Sequence, residues 1–214
     1  MDQRTKPMEK RFDKLGPQVV EALKRRHFDA YYCPTGAEAV EKVLSLIPAG
    51  DVVAWGGSET LACLGIIEKV KETHPVIDRD NVLSREERNE QMRKSLLADT
   101  YLMSSNAISE DGQLFNIDGN GNRVAALAFG PKSVIVVAGM NKVTKTVADA
   151  EARARNWAAP INAQRFSVET PCNATGSCAD CLSKTSICAS MLRTRFCRPE
   201  GKIKVVLVGE ELGF

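Results

Sequence analysis

A seven-residue run, SVIVVAG at Ser133–Gly139, leaves this chain few folds to choose from. It has no polar alternation, so as a strand it has to be buried on both faces, as strands are in parallel sheets covered by helices. Other compact apolar runs share its character, among them DVVAW at 51–55, TYLMS at 100–104 and KIKVVLVG at 202–209, and FDAYYC at 28–33 reads as a further short strand. Amphipathic segments lie between them. Thr35 with Glu38 predicts a capping box before the apolar face Val40, Val43, Leu44 and Ile47. Ser84 with Glu87 opens a charged, exposed helix over REERNEQMRKSLLA, and Thr146 with Asp149 opens a helix presenting Val147, Ala150, Ala154, Trp157 and Ala158, ended by Pro160. Strands alternating with helices predict an α/β fold: an open, mostly parallel sheet with helices on both faces.

The ends of the chain fit this scheme. Met8, Phe12, Leu15, Val19 and Leu23 recur at helical spacing, so residues 1–30 read as a helical region kinked or split at Gly16-Pro17. Asp111-Gly112 between two β-type segments predicts a hairpin. Residues 1–214 read as one domain, with a composition shift near Pro160 that introduces a cysteine-rich segment, 160–198.

Composition narrows the function classes. A net charge of +2 on 214 residues gives no basic footprint for nucleic acid or an anionic membrane. No apolar run approaches the roughly 20 residues of a membrane helix. The polar N-terminus lacks a secretory leader, so a cytoplasmic setting with reduced thiols is expected. His27 and His74 lie near helix ends, where surface or capping roles are expected rather than catalysis.

Three loops carry ligand chemistry. WGGSET, with Gly56, Gly57, Ser58 and Thr60, stands between a strand and a helix; it suits an anion at a helix N-terminus, and equally a tight turn with Ser58 as cap. NIDGNGNRV crowds Asn116, Asp118, Asn120, Asn122 and Arg123 around Gly119 and Gly121, glycines that permit positive φ and an anion-binding nest. Its bland reading is a hairpin end that caps the following helix. Arg123 offers a planar fork for carboxylate or phosphate, and Asp118 is the one candidate catalytic group. GMNKV follows the most buried strand, so Asn141 and Lys142 are expected beside Gly56 and Arg123, although a solvated lysine is the ordinary alternative.

Seven cysteines, an odd number, fit disulfides poorly. Cys33 and Cys63 each stand alone in an apolar setting and read as packing residues. Cys172, Cys178, Cys181 and Cys188 are spaced C-x5-C-x2-C-x6-C, with Cys197 nine residues on as either a substitute ligand or a packing residue. Thiolates gathered by loops suit an iron–sulfur cluster or structural zinc; zinc commonly joins two C-x2-C knuckles, and here there is one.

The block SSNAISEDGQLFNIDGNGNRVAALAFGPKSVIVVAGMNKV, then RARNWAAPINAQRF, PCNATGSCADC and IC, resembles the LUD domain family, named for lactate utilisation, in order from about Trp55 to Cys188. The resemblance implies a fold like that of the ribose-phosphate isomerase and CoA-transferase superfamily. It also implies a link to oxidation of L-lactate beside iron–sulfur and FAD-containing partner proteins. With the spacing, it points to a four-iron cluster on Cys172, Cys178, Cys181 and Cys188, zinc being the alternative. The remaining candidate ligand residue is Asn106, in the same block. The expectation is an accessory or electron-carrying component with a small anionic ligand, no nucleic acid or membrane partner, and room for a homo-oligomer. Two rivals remain: a self-sufficient enzyme on a phosphorylated or CoA-linked substrate, and a zinc-held sensor or scaffold.

Overall fold

A computed structural model describes residues 6–214, so the first five residues of the expected helical region lie outside it. In chain order the elements are α1 (Pro7–Lys24), β1 (Asp29–Cys33), α2 (Gly36–Ser45), β2 (Val53–Trp55), α3 (Glu59–Cys63), α4 (Ile66–Thr73), β3 (Val76–Ile77), α5 (Arg85–Lys94), β4 (Thr100–Met103), β5 (Ala107–Ser109), β6 (Leu114–Asp118), α6 (Asn122–Ala128), β7 (Ser133–Gly139), β8 (Val143–Thr144), α7 (Val147–Arg153), α8 (Ala159–Ala163), α9 (Pro171–Thr175), β9 (Ser190–Thr194) and β10 (Ile203–Val208). Among the described residues no helix is long and apolar enough to cross a membrane.

A six-stranded sheet in the order β1-β10-β7-β4-β2-β3 forms the centre. Every pairing in it is parallel. The expected burial of β7 on both faces holds. Val134, Val136 and Ala138 enter a core under α1 and α6 with Phe12, Val19, Leu23 and Leu127. Ile135 and Val137 enter the opposite core, with Val40, Val43, Leu61, Ile66 and Val70 of α2, α3 and α4. Strand β10 divides likewise, Val205 and Leu207 to one side and Val206 and Val208 to the other, as the two-residue period of a strand requires.

A second sheet, in the order β8-β5-β6-β9, was not foreseen from the sequence. The Asp111-Gly112 hairpin is real, with Gly112 at φ +86°, and supplies its antiparallel pair β5 and β6. Strand β9 comes from the segment read as cysteine-rich turns and pairs antiparallel along β6 from Asp118↔Ser190 to Leu114↔Thr194. Phe115 and Ile117 on one face of β6 pack with Ala150, Ala154 and Ala159, while Leu114 on the other face joins the core under α1.

Several local expectations change. Helix α1 runs unbroken through Gly16-Pro17. Gly16 is needed for contact, since a Cβ there would stand 2.3 Å from the Tyr32 ring. Pro160 does not end the last long helix. A π-helical turn at Ala154–Ala158 precedes it, and the chain continues into α8 with Pro160 in the first turn, where a missing N–H is tolerated. Trp157 faces solvent rather than the core, at 59% exposure. Ser58, Ser84 and Thr146 cap their helices as expected. Thr35 caps α2, but the Glu38 carboxylate takes the Thr35 hydroxyl instead of completing a box.

Candidate functional site

The carboxyl ends of β2, β4 and β6 and the turn after β7 open into one cleft of about 640 Å³. For β2, β4 and β7 the parallel sheet brings this about, because their connecting loops leave from the same edge; β6, from the second sheet, adds its carboxyl end to the same cleft. Gly57 and Ser58 reach it from the β2–α3 loop, Asn106 from after β4, Asp118, Gly119, Asn122 and Arg123 from the β6–α6 turn, and Lys142 from a short 3-10 turn after β7.

The other expected residues lie behind this lining. Gly56 backs the wall, where a Cβ would stand 2.5 Å from Arg123 Cγ, so the absent side chain makes room for the arginine stem. Thr60 is fully buried in the floor. Asn141 turns to the C-terminal segment, its amide donating to the Gly213 carbonyl at 3.2 Å and its oxygen accepting from Leu212 N–H at 3.2 Å.

The acidic groups of the cleft are already engaged. Asp118 Oδ2 accepts from the N–H groups of Arg123 at 2.8 Å and Val124 at 3.2 Å, capping α6, and lies 3.5 Å from Arg123 Nε. This is the bland reading of the loop, realised. Arg123 Nη2 also donates to the Ile117 carbonyl at 2.7 Å, so the guanidinium is partly committed to holding the turn. Glu59 is ion-paired with Arg165. Asn106 Oδ1 accepts from Ile117 N–H at 2.9 Å and fixes β6. Gly121 takes the positive φ foreseen for this loop, at +79°, but Gly119 does not. Gly119 is needed for another reason: a Cβ there would meet Ile187 Cα at 3.1 Å, where the cysteine-bearing loop crosses the turn.

Sequence reasoning missed most of the positive charge. Arg79, Arg85, Arg165 and Lys184 line the cleft with Arg123 and Lys142. Arg79 lies over Gly57, with Nη2 3.2 Å from where a Gly57 Cβ would be. It follows β3, so the strand-end rule would have reached it, but a strand of two residues leaves too little pattern to recognise. An excess of fixed cations over engaged carboxylates suits a small anion.

Lys142 differs most from its bland reading. It is buried, at 4% exposure. Nζ donates to Thr60 Oγ1 at 2.9 Å and Ser104 Oγ at 3.0 Å. Burial, with Arg153 and Arg123 nearby, pulls its pKa down to about 7. Tyr101, buried in the adjacent wall, is pushed up to about 12 and keeps its proton.

Across the Ser186–Ile187 loop lies a second, largely apolar cavity of about 140 Å³, and Cys172, Cys178, Cys181 and Cys188 all line it. Ser186 and Ile187 line both cavities. Burial raises the Cys188 pKa, and the other three thiols raise it further. Among the described residues no group of three or more His, Cys, Asp or Glu stands in the arrangement that would hold a metal ion. Cys197 lies elsewhere, 2% exposed in the core under α1; its thiol donates to the Pro199 carbonyl at 3.1 Å and accepts from Ile203 N–H at 3.2 Å. Cys33 packs as expected, whereas Cys63 is exposed.

The family model for the LUD domain matches residues 16–208. Among solved structures, the chain is similar to a DUF162 family protein from Deinococcus radiodurans, a crystal structure at 1.70 Å resolution. The TM-score is 0.53 at 13% identity, covering 92% of this chain and 97% of that one. That likeness is one of fold. No curated protein matches the chain.

Proposed function

The chain belongs to the LUD domain family, and from that premise we propose that it is an accessory or electron-carrying component in the oxidation of L-lactate or a similar 2-hydroxy acid. Membership supports a role related to lactate utilisation. The observation that carries the finer reading is the shared wall: Ser186 and Ile187 separate a cationic cleft from a cavity lined by four cysteines. In this reading the cleft holds the acid by its carboxylate, with Arg79, Arg123 and Arg165 as the guanidinium groups that line it, Arg165 sharing its charge with Glu59. An iron–sulfur or FAD-containing protein is the redox partner.

The donor set fits a four-iron cluster held by Cys172, Cys178, Cys181 and Cys188. Four thiols face one small apolar cavity, the surroundings such clusters use. A single zinc ion holds sulfur at about 2.3 Å, which draws four thiols into tight contact. Zinc on the same four thiols is the alternative occupant, which metal analysis of the reconstituted protein distinguishes from iron. Bound there, a cluster would supply one-electron acceptance. Ile117, Leu182 and Met191 give the cavity an apolar lining, and Thr170 Oγ1 lies 3.3 Å from Cys172 Sγ.

Anaerobic reconstitution with iron and sulfide, followed by EPR and Mössbauer spectroscopy, tests the reading. Wild type should take up a four-iron cluster, and Cys178→Ser should take up far less. Equal uptake by the two, or none by wild type, removes the electron-carrying reading.

A further inference from the structure

An electron carrier has no use for a buried amine at the floor of its anion cleft, yet Lys142 stands there. The charged groups that act on it are Arg153, Arg123 and Cys63, with no carboxylate among them. The amine is therefore not held as one half of an ion pair. A neutral amine has two hydrogens and one lone pair. Two hydroxyl oxygens, Thr60 Oγ1 and Ser104 Oγ, take the hydrogens, which leaves the lone pair without a partner. The same residue lines the cleft beside Arg79 and Arg123, whose charge suits an anion. Desolvation beside other cations is the condition that makes a lysine nucleophilic near neutral pH.

We propose that Lys142 is a carbonyl-reactive amine that forms an imine with 2-oxo acids bound in the cleft, the ketone counterparts of the 2-hydroxy acids assigned to it above. The proposal rests on the reading of the cleft as a carboxylate site. Nζ adds to the C2 carbonyl carbon, forming the C–N bond. The two amine hydrogens leave with the carbonyl oxygen as water, and the imine remains. No electrons are exchanged and no further reactant is needed; water reverses the step. The Ser104 hydroxyl, hydrogen-bonded to Nζ and lining the cleft, is placed to carry the proton from nitrogen to oxygen, while Thr60 behind it holds the amine in position. A 2-oxo acid engages both features at once, its carboxylate with the arginines and its carbonyl with the amine.

The test is borohydride trapping with pyruvate on the full chain, read by intact mass and peptide mapping, beside pyruvate titration by calorimetry. The expected result is a single reduced adduct on Lys142, lost in Lys142→Met and diminished in Arg79→Ala, while Lys145 and Lys204 stay unmodified. Mapping on wild type decides the matter even if Lys142→Met does not fold. Adducts spread over surface lysines overturn the proposal. Pyruvate that binds without a trapped adduct also overturns it and leaves the carboxylate cleft standing. Absence of pyruvate binding overturns both.

Discussion

Lys142 Nζ lies 2.9 Å from Thr60 Oγ1, and the Thr60 hydroxyl in turn lies 3.3 Å from the Leu212 carbonyl it donates to. One chain of polar contacts thus joins the turn after β7, helix α3 and the C-terminal segment beneath the cleft. Its pH behaviour follows from the lysine. The folded-state pKa of about 7 lies below the ordinary 10.5. Between those values the unfolded chain holds the proton and the folded chain does not, so this group makes stability rise with pH across the window, and its cost is fullest below it. Lys142→Met should remove that slope, up to about 1.4 kcal/mol per pH unit. Urea denaturation of both proteins across the window measures it, and parallel pH profiles would refute the assignment.

Arg79 should matter more for anion binding than its distance in sequence from the glycine loops suggests. Its Nε reaches Asp80 Oδ1 at 3.3 Å, while Nη2 lies over Gly57. Arg79→Ala should weaken oxalate or pyruvate binding by about tenfold, and Arg79→Lys should restore part of it, since charge survives but the fork does not. Calorimetry at low salt gives the answer; wild-type affinity in Arg79→Ala would place the ligand elsewhere.

Gly56→Ala should disturb the cleft without adding or removing charge. The new Cβ would stand 2.5 Å from Arg123 Cγ and 3.0 Å from Tyr101 Oη. Arg123 then has to leave the Ile117 carbonyl, which it holds at 2.7 Å. A stability loss of about 1–3 kcal/mol is expected, with weaker anion binding. Thermal unfolding within error of wild type would mean the wall yields freely.

Asp118, the candidate catalytic carboxylate of the sequence reading, should behave as a cap. Replacing it by Ala removes the acceptor for two backbone N–H groups and should cost about 1–2 kcal/mol. Asp118→Asn keeps an acceptor and should cost less. If Asp118→Asn instead abolishes pyruvate binding at unchanged stability, the carboxylate has a direct role in the site.

Cys197→Ala separates packing from ligation. It leaves a void in the core under α1 and should lower stability by about 1–2 kcal/mol while iron uptake stays at the wild-type level. Loss of iron uptake in this variant alone would return Cys197 to the ligand set.

Much of the fold was legible because its signals are local. An apolar run such as Ser133–Gly139 has one way to hide both faces, and a cap at Ser58, Ser84 or Thr146 needs only the three residues after it. The Asp111-Gly112 hairpin likewise follows from a turn that tolerates Gly112 at positive φ. Strand β9 was not legible, because a five-residue edge strand with half its side chains toward solvent carries little apolar pattern, and its partner β6 lies more than 70 residues earlier.

Pattern along the chain sets the alternation of strands and helices, the loops that meet at the strand ends, and the gathering of four cysteines within one short segment. Long-range packing settled which loop groups can meet a ligand. It placed Arg79 over Gly57, engaged Asp118 as a cap and set the cysteine loop against Gly119. It also turned Lys142 from a solvated lysine into a buried amine beside two hydroxyls and Arg153. Periodicity and capping are settled within a few residues along the chain. Desolvation and charge pairing depend on what packs against a group from distant parts of it, and no local pattern records that.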